Sequence, residues 1–205
     1  MRLIGEMESW RGSDNGCFDL LPHEALLYLF FHLDFHSLVR CSQVCRLFRE
    51  VASDPLLYGR LELRYLFHLV CDRTLKFLLP RCALLRYLDF SLCGNYGRCR
   101  SVVLRTFVYA RGTRFTHLLM ANCHVVDRTV ILAISRTSRL LVDLDLAGCH
   151  TINRGDFGVL AALNGLKHLN FYRTQIGHNE LKLILIANKV SHILFNLNTK
   201  TEHNW

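Results

Sequence analysis

The chain has 205 residues, 51% of them hydrophobic and 20% charged, with a formal net charge of +8. That is apolar enough to fill the core of one domain, or of one domain plus a small module, and it argues against a disordered chain. The longest strongly apolar run, Ala25 to Phe31, is far short of the ~20 residues that cross a bilayer, so no membrane association is expected. Nine cysteines is an odd number, and no pair has the spacing of a disulfide scaffold. Met1 to Trp10 carries Glu6 and Glu8 and lacks the apolar stretch of a secretory signal. These features predict a reducing compartment, cytoplasmic and/or nuclear. The positive excess favours acidic partners or nucleic acid only weakly, since solvated surfaces often carry one.

Taken in order, residues 1–16 end in RGSDNG and read as a flexible leader. Residues 17–57 read as a helical module. Pro22 suits a helix N-terminus and Glu24 its first turn. The following run, Ala25 to Phe31, is apolar on every side, so it must be covered on every side. A module this small supplies one cover, and a neighbour or a partner must supply the other. Ser37 is a candidate N-cap for a second, amphipathic helix reaching Asp54, with Leu38, Cys41, Val44, Cys45, Phe48 and Val51 on one face. Asp54-Pro55 starts a third short helix, PLLY.

From Tyr58 to Asn198 the chain repeats. The clearest unit is Leu141-x-x-Leu144-x-Leu146-x-x-Cys149, then a helical pattern, FGVLAAL. Leu144 and Leu146 sit two apart and point to one side of a strand, into a core. Copies begin at Tyr58, Leu85, Phe115, Leu141, Leu166 and Val190. Steps of 24 to 30 residues, helical patterns between them and a recurring small closing residue are those of a leucine-rich repeat. Those patterns are TLKFLL, ended by Pro80, then VVLRTFVYA, RTVILAISR, FGVLAAL and ELKLILIAN after Asn179. No single unit buries its own apolar row, so the units must stack. The expected fold is therefore a three-helix module followed by a short curved solenoid, about six parallel strands with outer helices, over residues 58–198. A tail, 199–205, remains.

Residues 18 to 58 resemble the F-box. The residues are Leu21-Pro22-x-Glu24-x-Leu26-Leu27-x-x-Phe30-x-x-Leu33, then Val44-Cys45-Arg46-x-Phe48, then Ala52-Ser53-Asp54-x-x-Leu57-Tyr58. Phe48 and Tyr58 stand where the family has Trp, which keeps a large aromatic. An F-box followed by cysteine-containing repeats resembles the F-box/leucine-rich-repeat substrate receptors of SCF ubiquitin ligases. The resemblance implies that the F-box packs against an S-phase-kinase-associated adaptor, which links it to a cullin–RING scaffold. Leu21, Pro22, Glu24, Leu27, Phe30, Val44 and Phe48 are then expected at or under the adaptor interface. The repeats would hold a target protein for ubiquitination, and catalysis would come from proximity to a ubiquitin-loaded conjugating enzyme.

The alternation of a strand also predicts a concave surface. One column is Tyr87, His117, Asp143, His168 and His192. The next is Asp89, Leu119, Asp145, Asn170 and Leu194, and beyond it lie Ser91, Ala121, Ala147, Tyr172 and Asn196. Tyr87, Asp89, His117, Leu119, Asp143, Asp145, His168, Asn170, Tyr172, His192 and Asn196 are the expected target-binding residues. The histidines invite a metal or pH-sensitive reading, but an ordinary polar binding surface accounts for them.

Other constellations reduce to packing. Cys41 and Cys45 are too few ligands for zinc. Cys123-His124 and Cys149-His150 point to opposite faces of extended chain, so neither forms a thiol–imidazole dyad. CGNYG lacks the Lys-Ser/Thr end of a phosphate loop. No catalytic residue, metal or cofactor is expected. Between Asp89 and Asp127 there is no acid, while Arg98, Arg100, Arg105, Arg111 and Arg114 occur there. An acidic or phosphorylated segment could dock there, though a solvated surface explains it more simply, and nucleic acid is not an expected partner. The rival readings are a non-ubiquitin scaffold that uses the F-box for docking, and a basic solenoid that binds acidic partners or RNA.

Overall fold

Six short strands stacked in chain order organise the molecule. The computed structural model describes residues 18, 20–95 and 97–195. The strands are β1 (Arg60–Glu62), β2 (Tyr87–Asp89), β3 (His117–Leu119), β4 (Asp143–Asp145), β5 (His168–Phe171) and β6 (His192–Phe195). All five pairings are parallel, and the order runs β1 to β6. Residues 1–16 and 199–205, together with Asn196 and Asn198, lie outside the described residues.

The register follows the leucine phase. Leu61, Leu88, Leu118, Leu144, Leu169 and Ile193 are successive partners across the sheet. The first five are buried, as are the leading residues Tyr58, Leu85, Phe115, Leu141 and Leu166. Behind the sheet lie α4 (Asp72–Arg81), α5 (Ser101–Arg111), α6 (Arg128–Thr137), a 3-10 helix (Arg154–Ala162) and α7 (His178–Ala187), each packed on the next. In the sixth row Val190 and Ile193 are only half-buried and Phe195 is exposed.

The closing cysteines tie one repeat to the next. The thiol of Cys123 donates to the Phe90 carbonyl at 3.0 Å, that of Cys149 to Met120 at 3.1 Å, and that of Cys93 to Leu63 at 3.7 Å. Each acceptor is the buried residue that directly follows the preceding strand. Burial pushes the Cys149 thiol up to about 12 and raises Cys123 strongly, so both stay protonated donors. The residue before each closing position takes a left-handed conformation: Leu92, Asn122, Gly148 and Arg173 have φ of 66°, 55°, 68° and 58°. Gly148 meets that torsion at no steric cost, and a Cβ there would also have to push aside the tip of the Asn122 side chain.

The N-terminal module holds α1 (His23–Phe31), α2 (Phe35–Cys41), α3 (Arg46–Val51) and a 3-10 turn, Pro55–Tyr58. Leu26, Phe30, Leu38, Val51, Ala52, Leu57 and Tyr58 form its interior, and one continuous core runs from there through the repeats to Ile184. Tyr58 joins the two parts. Its ring opens the first repeat row, and its hydroxyl donates to the Ala52 carbonyl at 2.6 Å. Arg81 adds a second tie, donating from Nη2 to the Ser53 hydroxyl at 3.2 Å.

Four local expectations change. Asp34, not Ser37, caps α2, accepting from the Ser37 amide at 2.7 Å. The amphipathic stretch is two helices rather than one. The chain turns at Ser42–Val44, and Cys45 caps α3 with its sulfur, 3.4 Å from the Phe48 amide. Pro80 sits inside α4, one residue from its end, and Arg81 bonds the Phe77 carbonyl there at 2.9 Å. The helix expected from FGVLAAL is 3-10 over nine residues. It contains Gly155 and Gly158, poor α-formers, and a 3-10 helix rises about 2.0 Å per residue against about 1.5 Å, so fewer residues cover the same height.

Candidate functional site

Two surfaces carry side chains whose placement goes beyond the needs of folding. The first is on α1. Leu26 and Phe30, one turn apart, face the core. The opposite phase carries Tyr28, Leu29 and Phe31, which are 68%, 50% and 66% exposed. Leu20, Leu21, Val44 and Leu56 are also exposed. Among the described residues, eight large exposed apolar side chains thus fall from Phe18 to Leu56, against five from Gly59 to Glu180 and five more from Leu183 to Phe195 in the last repeat. So dense an apolar surface on one short module marks a contact region.

The second surface is the open face of the sheet. Arg60, Tyr87, His117, Asp143, His168 and His192 are register partners on successive strands, so their side chains form one column. The Arg60 guanidinium lies 3.7 Å over the Tyr87 ring and pairs with Glu62 at 2.6 Å. Tyr87 and His117 have ring centroids 5.6 Å apart, and His168 and His192 stack at 5.1 Å with their planes 14° apart. His117 Nδ1 and the Thr116 hydroxyl are 2.9 Å apart.

The second column is fixed from below. Asp89, Asp145 and Asn170 each accept the amide two residues on, from Ser91, Ala147 and Tyr172, at 3.0, 2.8 and 3.1 Å. Leu119 cannot do this, and the Ala121 amide donates instead to the Ser91 hydroxyl at 3.2 Å. Asn170 also donates to Asp145 at 3.1 Å. Burial, with the charges of Asp143 and Asp89, raises the Asp145 carboxyl despite these donors.

Residues 18–64 match the F-box-like family. The chain is 33% identical over 174 residues to F-box/LRR-repeat protein 4 of Bos taurus, across 85% of this chain and 28% of that protein. It is 39% identical over 61 residues to F-box protein At4g02733 of Arabidopsis thaliana, across 30% of this chain and 20% of that one. The family match covers the N-terminal module, and the likeness to F-box/LRR-repeat protein 4 runs on from it through the repeats. The chain spans less than a third of the length of either relative.

Within the F-box, Leu21, Pro22, Glu24 and Val44 are exposed, and Leu27 is half-buried. Phe30 is 5% exposed and belongs to the core, so it supports a surface rather than forming one. Phe48 lies edge-on between Phe18 and Phe30, at 5.0 and 5.1 Å. Sequence reasoning missed Tyr28, Leu29 and Phe31. An unbroken apolar run has no periodicity, and only the burial of Leu26 and Phe30 sets the phase.

On the sheet, His168, Tyr172 and His192 are exposed, and Tyr87, His117, Leu119, Asp143, Asp145 and Asn170 are partly so. Asp89 is a correction. It is 8% exposed and offers little surface, although its bond to the Ser91 amide matches those of Asp145 and Asn170. Asn196 lies outside the described residues. Arg60 and Glu62 extend the columns by one repeat and were not anticipated, because the first repeat departs most from the consensus.

The arginine-rich stretch is largely spent on cohesion. Arg100 pairs with Asp72 at 2.6 Å, Arg98 donates to the His68 carbonyl at 3.0 Å, and Arg111 to the Leu79 carbonyl at 2.8 Å. Arg105 and Arg114 form no ion pair among the described residues. Three of the five cations therefore bind the preceding repeat, which leaves little of the stretch for an acidic ligand.

Proposed function

We propose that this chain is a substrate receptor of an SCF-type ubiquitin ligase, a non-catalytic subunit working in the cytoplasm or nucleus. The observation that carries the reading is the F-box-like module with one face of α1 left apolar and exposed, joined by a continuous core to a leucine-rich-repeat sheet. The exposed face is the side that an S-phase-kinase-associated adaptor would cover, removing Tyr28, Leu29 and Phe31 from water along with Leu21, Pro22 and Val44. Through the adaptor the chain would reach a cullin–RING scaffold. The concave columns would hold a segment of the target protein. The shared core fits a receptor that acts by positioning, since a firm joint keeps the target at a fixed distance from the conjugating enzyme. Ubiquitination would then mark the target for proteasomal degradation.

The test is affinity purification of the chain from cells beside a Leu21→Ala/Pro22→Ala variant. Adaptor and cullin should co-purify with the wild type and fall away with the variant. Recovery of neither with the wild type defeats the proposal, and adaptor without cullin favours a scaffold outside ubiquitin transfer.

A further inference from the structure

Cys71 and Cys99 come from successive repeats, and their backbones run side by side. The Asp72 amide donates to the Arg98 carbonyl at 3.0 Å, and the Arg100 amide donates to the Asp72 carboxylate at 2.8 Å. The peptide that joins Cys71 to Asp72 thus donates to the peptide that joins Arg98 to Cys99, which sets the two cysteine backbones beside each other, and a disulfide spans ~4.4–6.8 Å between Cα atoms. Both segments are pinned, by the Arg100 guanidinium on Asp72 at 2.6 Å and by Arg98 on the His68 carbonyl. Cys71 is partly open to solvent, and Cys99 is buried beside it.

The two thiols sit in opposite environments. Cys71 occupies the N-cap position of α4, its sulfur 3.5 Å from the Thr74 hydroxyl. Burial opposes its ionisation, but the Thr74 hydroxyl and the amides of Thr74 and Arg73 outweigh burial and lower it, against a smaller opposing effect of Asp72. Cys99 is pushed up to about 12, first by burial, then by the negative charges of Asp72 and of Cys71 itself. One thiol is thus set up to ionise while its neighbour keeps its proton. Cys93 also lies within the field of Cys99, but its hydrogen is directed at the Leu63 carbonyl.

We propose that Cys71 and Cys99 are a peroxide-sensitive thiol pair that closes into a disulfide between the first and second repeats. The Cys71 thiolate attacks one oxygen of hydrogen peroxide. A sulfur–oxygen bond forms, the oxygen–oxygen bond breaks, and hydroxide leaves. Cys71 is now a sulfenic acid. The Cys99 sulfur attacks the Cys71 sulfur, the sulfur–oxygen bond breaks, and the proton of Cys99 departs with that oxygen as water. Peroxide is reduced by two electrons and the thiol pair is oxidised by two. A dithiol reductant reverses the bond. The cross-link staples together the two repeats next to the F-box, at the end of the solenoid that carries the joint.

The experiment treats the reduced full chain with stoichiometric hydrogen peroxide in the presence of dimedone, then maps its peptides by mass spectrometry. Wild type should yield a Cys71–Cys99 linked peptide that dithiothreitol releases. Cys99→Ser, with Cys99→Ala as a second variant in case the serine disturbs the buried site, should carry dimedone on Cys71 instead. Cys71→Ser keeps a capping side chain on α4 and should give neither product. Cys41, which burial raises, serves as the internal standard, and Cys71 should react at least about tenfold faster. Dimedone retained on Cys71 of the wild type without the linked peptide, a link to another cysteine, or equal rates for Cys71 and Cys41 would overturn the pair.

Discussion

The outer face of α1 and the open face of the sheet are both exposed, yet their side chains are held in different ways. Tyr28, Leu29 and Phe31 project from a helix whose other side is locked in the core, and the Tyr28 ring meets His32 edge-on at 5.0 Å. Asp89, Asp145 and Asn170 are oriented by backbone amides, and Arg60 lies across Tyr87. The first surface gains by burial and tolerates any partner of matching shape and apolarity. The second has much of its side-chain ordering done in advance and discriminates through polar geometry. A shared adaptor suits the first kind of surface, and a particular target segment suits the second.

The largest effect that separates core from surface in α1 is expected from Phe30→Ala, which should cost about 3–5 kcal/mol in urea unfolding because it opens a cavity under the helix. If instead the variant is stable and only adaptor binding is lost, Phe30 belongs to the surface. Tyr28→Ala/Phe31→Ala should do the reverse. It should weaken adaptor binding by calorimetry at least about a hundredfold, equivalent to about 2.7 kcal/mol, with unfolding changed by no more than about 0.5 kcal/mol. Among the ties between repeats, Cys149→Ala should cost about 1–2 kcal/mol, since the Met120 carbonyl loses its buried donor. Adaptor binding should not change.

The smallest effects have opposite signs with pH. Burial tends to raise Asp127, but the Thr129 and Ser101 hydroxyls and the amides of Val130 and Thr129 outweigh it and lower the carboxyl. Its contribution is therefore present above the ordinary carboxylate value of 3.8 and lost as pH falls through the lower folded value. Asp145 is raised, so its ionised form opposes folding at neutral pH, and that penalty is relieved as pH falls through its raised value. Unfolding measured from pH 3 to 7 should show Asp127→Asn less stable than wild type at pH 7, by up to about 1 kcal/mol, and converging in acid. Asp145→Asn should equal or exceed wild type at pH 7. A loss of stability in Asp145→Asn at pH 7 would mean that the Ala147 and Asn170 bonds outweigh desolvation.

The repeat architecture was legible because its signal is redundant. Six copies share one phase, and a period of two assigns every strand side chain to a face, so the column from Tyr87 to His192 follows from spacing alone. What stayed hidden depends on single interactions that spacing does not encode. Asp89 has the same outward parity as Asp145 and the same bond to the amide two residues on, yet its neighbours leave it 8% exposed, a difference in packing that parity does not encode. The turn at Ser42–Val44 falls inside an unbroken helical phase, and the thiol of Cys45, an unusual capping group, starts the next helix. On α1 composition announced an exposed apolar face without saying which residues form it.

The nine-residue 3-10 helix also bears on how tightly the solenoid bends. Neighbouring strands are spaced ~4.8 Å apart and packed α-helices ~8–10 Å, and that mismatch bends a stack around its strands. A 3-10 segment, with three residues per turn, is slimmer and acts as a thinner wedge between α6 and α7. The arc should be shallowest from β4 to β5, where Asp143 meets His168. On the proposed function, a target segment that follows the column would have to straighten there, so the curvature of the ligand would itself be a selectable property of this sheet.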